Sequence, residues 1–215
     1  MSFHPTSPGW KRFFLVMVML LGVVLGSGCC RDEGRAQAEK VLRECLISVS
    51  ALPQGWEIAE GPMPYDLPDR TLPGCAMGGV TVAFNYPGVG EYGAHAYQDI
   101  FLYQNEQKAV KEFERREPEV FDQGTLTPWE EPRRSLALSA DAWRAACAQI
   151  ENIIEPKSPI TVCVIWARYG ALLTEFDTWQ SAPYMSLDDF ARVAQRLDQR
   201  MRECEVIVQQ KIPAP

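Results

Sequence analysis

Residues 139–150 read SADAWRAACAQI, and residues 160–167 read ITVCVIWA. How the first stretch pairs with the second decides the fold. The alanines of 139–150 favour a helix by intrinsic propensity. Residues 160–167, rich in β-branched and aromatic side chains, read as a strand. If Asp141–Ile150 is also a strand, it pairs with Ile160–Arg168 as a hairpin centred near Glu155. Ala146 and Ala148 then share a face with Trp166, Val164 and Val162, small opposite large. Cys147 falls directly opposite Cys163. Opposed β carbons of antiparallel strands lie about 4.5–5.5 Å apart, within a small adjustment of disulfide distance. The strand reading is adopted, and a Cys147–Cys163 bond is expected with it.

Working outward, Gly79–Tyr86 alternates cleanly, with Val80, Val82, Phe84 and Tyr86 on one face of a half-buried strand. Ala94–Gln104 returns as its partner, and Ala171–Trp179 follows the Tyr169-Gly170 turn. Trp56–Glu60 reads as a short strand, followed by a proline-rich irregular loop over 61–75. Ala38, Val41, Leu42, Cys45 and Leu46 form one helical stripe. Asn105 caps a helix that Pro118 is expected to stop near Arg116. Ser186 with Asp189 resembles a capping box and opens a last helix. Its core face is Phe190, Val193, Ala194, Leu197, Met201 and Cys204, and it is expected to end before Val208. Cys45 and Cys204 both lie on core-facing stripes and are a candidate second disulfide. The fold class expected is α+β, a single domain in which an antiparallel sheet of hairpins packs against helices.

The chain of 215 residues carries a net charge of −7 and seven cysteines. Its N-terminus has a basic flank, Lys11-Arg12, an apolar run from Phe13 to Leu25, then Gly26-Ser27-Gly28 and Cys29. That is the layout of an export signal. The segment LGSGC resembles the bacterial lipobox, with Gly26 where leucine is usual. The resemblance implies that Cys29 is lipidated and becomes the first residue of the mature chain. An uncleaved anchor and plain secretion are the alternatives, and all three place the body outside the cytoplasm. The organisation expected is a signal over 1–28, a tether over 29–37, a domain over 38–207 and a frayed tail over 208–215. Without residues 1–28 the chain keeps 19 basic and 28 acidic residues, a net −9. Such a body disfavours nucleic acid as a partner.

A short helix, Leu-Pro-x-Gly-Trp at 52–56, a hairpin, Asn-Glu-Gln-x-Ala at 105–109, two more hairpins and a C-terminal helix resemble a broad group. It includes extracytoplasmic lipoproteins with a PsbP-like sandwich and external sensor domains of mycobacterial Ser/Thr kinases. The resemblance covers residues 38–207 and implies binding or sensing rather than catalysis.

Residues 88–93 spell G-x-G-x-x-G, but Pro87 precedes them and a strand follows. A dinucleotide site needs a helix there, so these glycines read as a hairpin loop. His95 reads as a sheet residue. There is no G-x-S-x-G, H-E-x-x-H or C-x-x-C, and no catalytic residue, metal ligand or cofactor is assigned. Asp188-Asp189 complement a helix dipole, and Glu112, Glu114, Glu117 and Glu119 read as solvated surface. Most tryptophans are expected in the core. Trp129, between Pro128 and Pro132, and the tyrosines flanking the glycine loop, Tyr86 and Tyr92, are the candidate ligand contacts. The expected function is non-enzymatic: a membrane-anchored envelope lipoprotein, held by its lipid, that binds an unidentified envelope ligand or protein. The alternatives are an envelope hydrolase with carboxylates from distant segments, or an assembly factor for a membrane complex.

Overall fold

The computed structural model describes residues 32–65, 72–89, 93–122, 124–132, 136–151 and 158–212. It is an α+β structure in which a six-stranded antiparallel sheet carries helices on both faces. The strands are β1 (Glu57–Pro64), β2 (Gly78–Asn85), β3 (Ala94–Leu102), β4 (Ala142–Ile150), β5 (Ile160–Tyr169) and β6 (Leu172–Gln180). The long helices are α1 (Asp32–Arg43), α2 (Glu106–Phe121) and α3 (Leu187–Lys211). The strand order β1-β2-β3-β6-β5-β4 joins two meanders through the β3–β6 ladder.

One face of the sheet packs against α1 and α3. Val80, Val82 and Phe84 of β2 meet Ala38 and Leu42 of α1 and Phe190, Leu197 and Met201 of α3 in one core. The opposite face packs against α2, with Phe113, Val120 and Phe121 set on Val164, Trp166 and Leu173. β2 is buried along nearly all of its length, where its alternation predicts a half-buried strand; Gly79, on the face away from α1, lies against Tyr65 and Leu72.

Residues 142–150 are a strand despite their alanines. Ala146 opposes Val164, Ala148 opposes Val162 and Cys147 opposes Cys163. Tertiary packing wins over helix propensity here. Small side chains leave room for Trp166 and the valines against α2, and an alanine helix would give that up.

Several boundaries differ from the sequence reading. Helix α1 begins at Asp32, inside the stretch read as tether, and an Arg35–Glu39 ion pair of 2.7 Å supports its first turns. β1 continues into the proline-rich segment as far as Pro64. An edge strand accepts prolines because a missing N–H on its outer side breaks no ladder bond. Helix α2 runs past Pro118 to Phe121, because burial of Val120 and Phe121 outweighs the lost backbone bond. Helix α3 runs past Val208 to Lys211, where Val208 and Ile212 pack on the core and Lys211 pairs with Glu44 at 2.6 Å. Glu112 is buried rather than solvated. Arg115 forks onto it at 2.6 and 3.1 Å, so its charge is matched where it sits. Trp56 and Trp166 are core residues, whereas Trp143 lies on the edge strand β4 and is 37% exposed. Among the described residues, no helix is long and apolar enough to cross a membrane.

Candidate functional site: a groove floored by a disulfide

Cys147 turns its backbone outward. Its N–H donates to the Glu130 carbonyl at 2.8 Å, and its carbonyl accepts from the Glu130 N–H at 2.9 Å. Cys147 and Cys163 are therefore a non-hydrogen-bonded pair in the β4–β5 ladder, the kind in which opposed side chains approach most closely. Their α carbons are 4.0 Å apart and the sulfurs are bonded. The second pair, Cys45–Cys204, is also bonded and links the end of α1 to α3 with α carbons 5.1 Å apart.

The sheet outruns α3 at this end. The helix starts only at Leu187, so the last residues of β4 and β6 and the first residues of β5 on that face are left partly uncovered. A groove of about 730 Å³ results, within the usual size of a small-ligand site. Cys147, Cys163, Gln149, Thr161 and Gln180 contribute to its floor. One wall is Thr127, Pro128 and Glu130, and the other is residues 181–187 with Pro183, Met185 and Leu187.

Both walls are fixed by hydrogen bonds, some local in sequence and some from distant residues. Gln180 accepts the Met185 N–H at 2.6 Å and donates to the Met185 carbonyl at 3.3 Å. The Trp56 indole donates to the Tyr184 carbonyl at 3.3 Å. The Ser186 hydroxyl accepts the Asp189 N–H at 3.1 Å, completing the capping box. The Asp189 carboxyl sits below its ordinary range. Burial pushes the other way, and the hydrogen bonds from Ser186, with Arg192, prevail. On the other wall, Gln149 donates its N–H to the Thr127 hydroxyl at 2.9 Å, and Leu126 donates its N–H to the Gln149 carbonyl at 2.6 Å.

Among the described residues, the lining holds a single ionisable side chain, Glu130, and no aromatic ring. Prolines, hydroxyls and amides supply the rest. Such a surface suits a neutral or cationic partner. An anion would meet Glu130 and the acidic first turn of α3, Asp188 and Asp189.

No protein-family model and no curated protein sequence matches the chain.

The sequence candidates do not converge. Tyr86 stacks on Tyr184 at 5.0 Å and meets Trp56 edge-on at 6.3 Å, on the α3 side of the sheet. Trp129 packs edge-on against Phe121 at 5.2 Å, on the α2 side. The two residues occupy opposite faces. Trp129 is therefore largely a packing residue, while its neighbours Pro128 and Glu130 reach the groove. Tyr92, Gly90, Cys29 and Cys30 lie outside the described residues. The glycine stretch joins β2 to β3, strand to strand. His95 stands in β3 between Asn85 and Trp179. Among the described residues no three His, Cys, Asp or Glu side chains gather as a metal site.

Thr178 escaped the sequence reading. It lies beside Cys163 in the β5–β6 ladder, is fully buried, and its hydroxyl has no hydrogen-bond partner. The alternation of β6 and the register at Cys163 were its only signals.

Proposed function

We propose that this chain is an extracytoplasmic lipoprotein, tethered through lipid on Cys29, whose domain binds a ligand or partner protein outside the membrane. The observation that carries the reading is the succession of a leader ending in LGSGC and a body with two disulfides. Disulfides persist in oxidising compartments and are rare in the cytosol. The groove beside Cys147 is the proposed binding surface. Its mixture of apolar walls and dispersed amides and hydroxyls is the composition of a recognition site. Among the described residues of the lining Glu130 is the one carboxylate, which favours binding over hydrolysis by paired carboxylates. The likeness in element order to PsbP-like lipoproteins supports the same reading.

Mass spectrometry of the mature N-terminus from a membrane fraction tests the anchor. The expected peptide begins at a diacylglyceryl-modified Cys29, and Cys29→Ser leaves the leader uncleaved at this site. A mature peptide that retains Phe13–Leu25, or an unmodified Cys29, contradicts the proposal.

A further inference from the structure

We infer that Cys147–Cys163 is a thiol–disulfide exchange site, opened by a dithiol reductant entering the groove, with the buried Thr178 hydroxyl positioned to receive the departing thiolate. This goes beyond the anchor reading and needs only that the disulfide is formed.

Three observations converge. First, access differs between the two bonds. Cys147 is only partly buried, and both of its bond's cysteines line the groove. Cys45 and Cys204 are both 0% exposed beneath α1 and α3. Exchange requires an incoming thiolate to reach a sulfur, so access governs which bond reacts. Second, the two sulfurs of the accessible bond are inequivalent. Cys163 is only 2% exposed, so the attack falls on Cys147. Third, Thr178 is the cross-strand neighbour of Cys163 on the same face, at β-carbon distances of about 4.5–5.5 Å. Its hydroxyl is 0% exposed and unpartnered. A buried donor without an acceptor is costly. A disulfide sulfur is a poor acceptor, whereas a thiolate is a strong one. The residue that the folded, oxidised state leaves unsatisfied is satisfied when the bond opens.

A thiolate of the dithiol bonds to Cys147 Sγ, and the Cys147–Cys163 bond breaks with its electron pair on Cys163 Sγ. Thr178 Oγ1 donates a hydrogen bond to that thiolate, which then takes a proton from water in the groove. The second thiolate of the reagent attacks the reagent's own sulfur in the mixed disulfide and releases Cys147, which is protonated in turn. The reagent loses two electrons to become a disulfide, and the protein gains two cysteine thiols. A hydrogen bond that favours the anion lowers the thiol pKa, and a leaving thiol of lower pKa departs faster.

The test treats the full-length oxidised protein with dithiothreitol, stops the reaction with iodoacetamide at intervals, and maps the alkylated peptides. Cys147 and Cys163 are expected to open at least about tenfold faster than Cys45 and Cys204. Equal rates, or faster opening of Cys45–Cys204, overturn the inference. Thr178→Val is expected to slow opening of Cys147–Cys163 several-fold, with Cys45–Cys204 unchanged as the internal control. It is also expected to raise the pH at which Cys163 ionises in the reduced protein. Thr178→Ser restores both. An unchanged rate and ionisation profile in Thr178→Val overturn the part given to Thr178, and faster opening of both bonds shows that the residue acts only through stability.

Discussion

Cys45–Cys204 and Cys147–Cys163 use the same bond to hold two unlike regions. The first spans 159 residues of chain and ties the N-terminal helix to the C-terminal one across a closed core. The second spans 16 residues and joins neighbouring strands that hydrogen bonding already keeps together, in the floor of a groove. Long-range constraint sits where solvent is excluded, and short-range constraint sits where solvent enters. A bond that contributes little topology and stands open to reagents is placed to respond to its surroundings. A bond that closes most of the chain and lies buried is placed to persist.

The sharpest way to break this contrast is to remove each bond in turn. In the chain-entropy model, closing a loop of about 160 residues stabilises by roughly 5 kcal/mol, and closing one of about 16 by roughly 3 kcal/mol. Cys45→Ala with Cys204→Ala is therefore expected to lower stability most in urea titration. Against an ordinary domain stability of about 5–15 kcal/mol this is a large fraction. Cys147→Ala with Cys163→Ala is expected to cost less and to leave the sheet register unchanged, because the β4–β5 ladder and the Glu130 pairing remain. The reverse order of losses contradicts the comparison.

Much of this contrast was legible in the sequence, and particular residues show why. The Cys147–Cys163 pairing followed from register, since two strands and one turn centre fix which residues oppose. Cys45–Cys204 followed from helical stripes, which say that two residues face the core but not that they meet. The core face of α3 and its capping box were local patterns and were read correctly. What escaped was the long-range arrangement. The β3–β6 ladder joins segments separated by all of α2, β4 and β5, and no local periodicity encodes it. The groove escaped for the same reason. Its walls come from residues 127–130, 158–161 and 181–187, stretches with no shared pattern that meet only because α3 stops short of the sheet's end. Trp129 stands out in the sequence for its proline-rich setting, yet composition does not say which face of the sheet a loop will reach.

The start of β4 supplies a smaller test, because a polar clamp holds it where the disulfide holds its end. The Asp141 carboxylate accepts the Gly170 N–H at 2.6 Å, Arg168 at 3.3 Å and Arg202 at 3.1 Å. Gly170 has φ of 56°, which the turn needs and a side chain would strain. Burial alone would raise the Asp141 carboxyl, but Gly170, Arg202 and Arg168 hold it below its ordinary value of 3.8. The unfolded chain therefore takes up this proton first. The contribution is complete above that ordinary value and fades as pH falls through the folded-state value. Asp141→Asn is expected to cost about 1–2 kcal/mol near neutral pH. The gap between wild type and variant should narrow at pH 3 and below. A gap that stays constant from pH 7 to pH 3 shows that the charge is not what holds the turn.

The smallest effect expected is also the most specific to the groove. Glu130 is the cross-strand neighbour of Cys147 on its outer side and, among the described residues, the only ionisable side chain of the lining. As the bridge partner of Cys147 it shares that residue's face of the sheet, in the wall of the groove that an incoming thiolate enters. Two like charges about 7 Å apart in water repel by about 0.6 kcal/mol, close to a threefold change in rate. Glu130→Gln is expected to speed opening of Cys147–Cys163 by an anionic thiol such as 2-mercaptoethanesulfonate by about that factor at low salt. The difference should vanish in 1 M salt, where the screening length is about 3 Å. Opening by dithiothreitol, which carries no charge beyond the attacking thiolate, should respond similarly, because the attacking species is itself an anion. A neutral alkylating agent acting on the reduced protein supplies the control, since no anion then approaches Cys147. If Glu130→Gln leaves the anionic-thiol rate unchanged at low salt, the reagent does not pass the Glu130 wall, and the route to Cys147 must run along residues 181–187 instead.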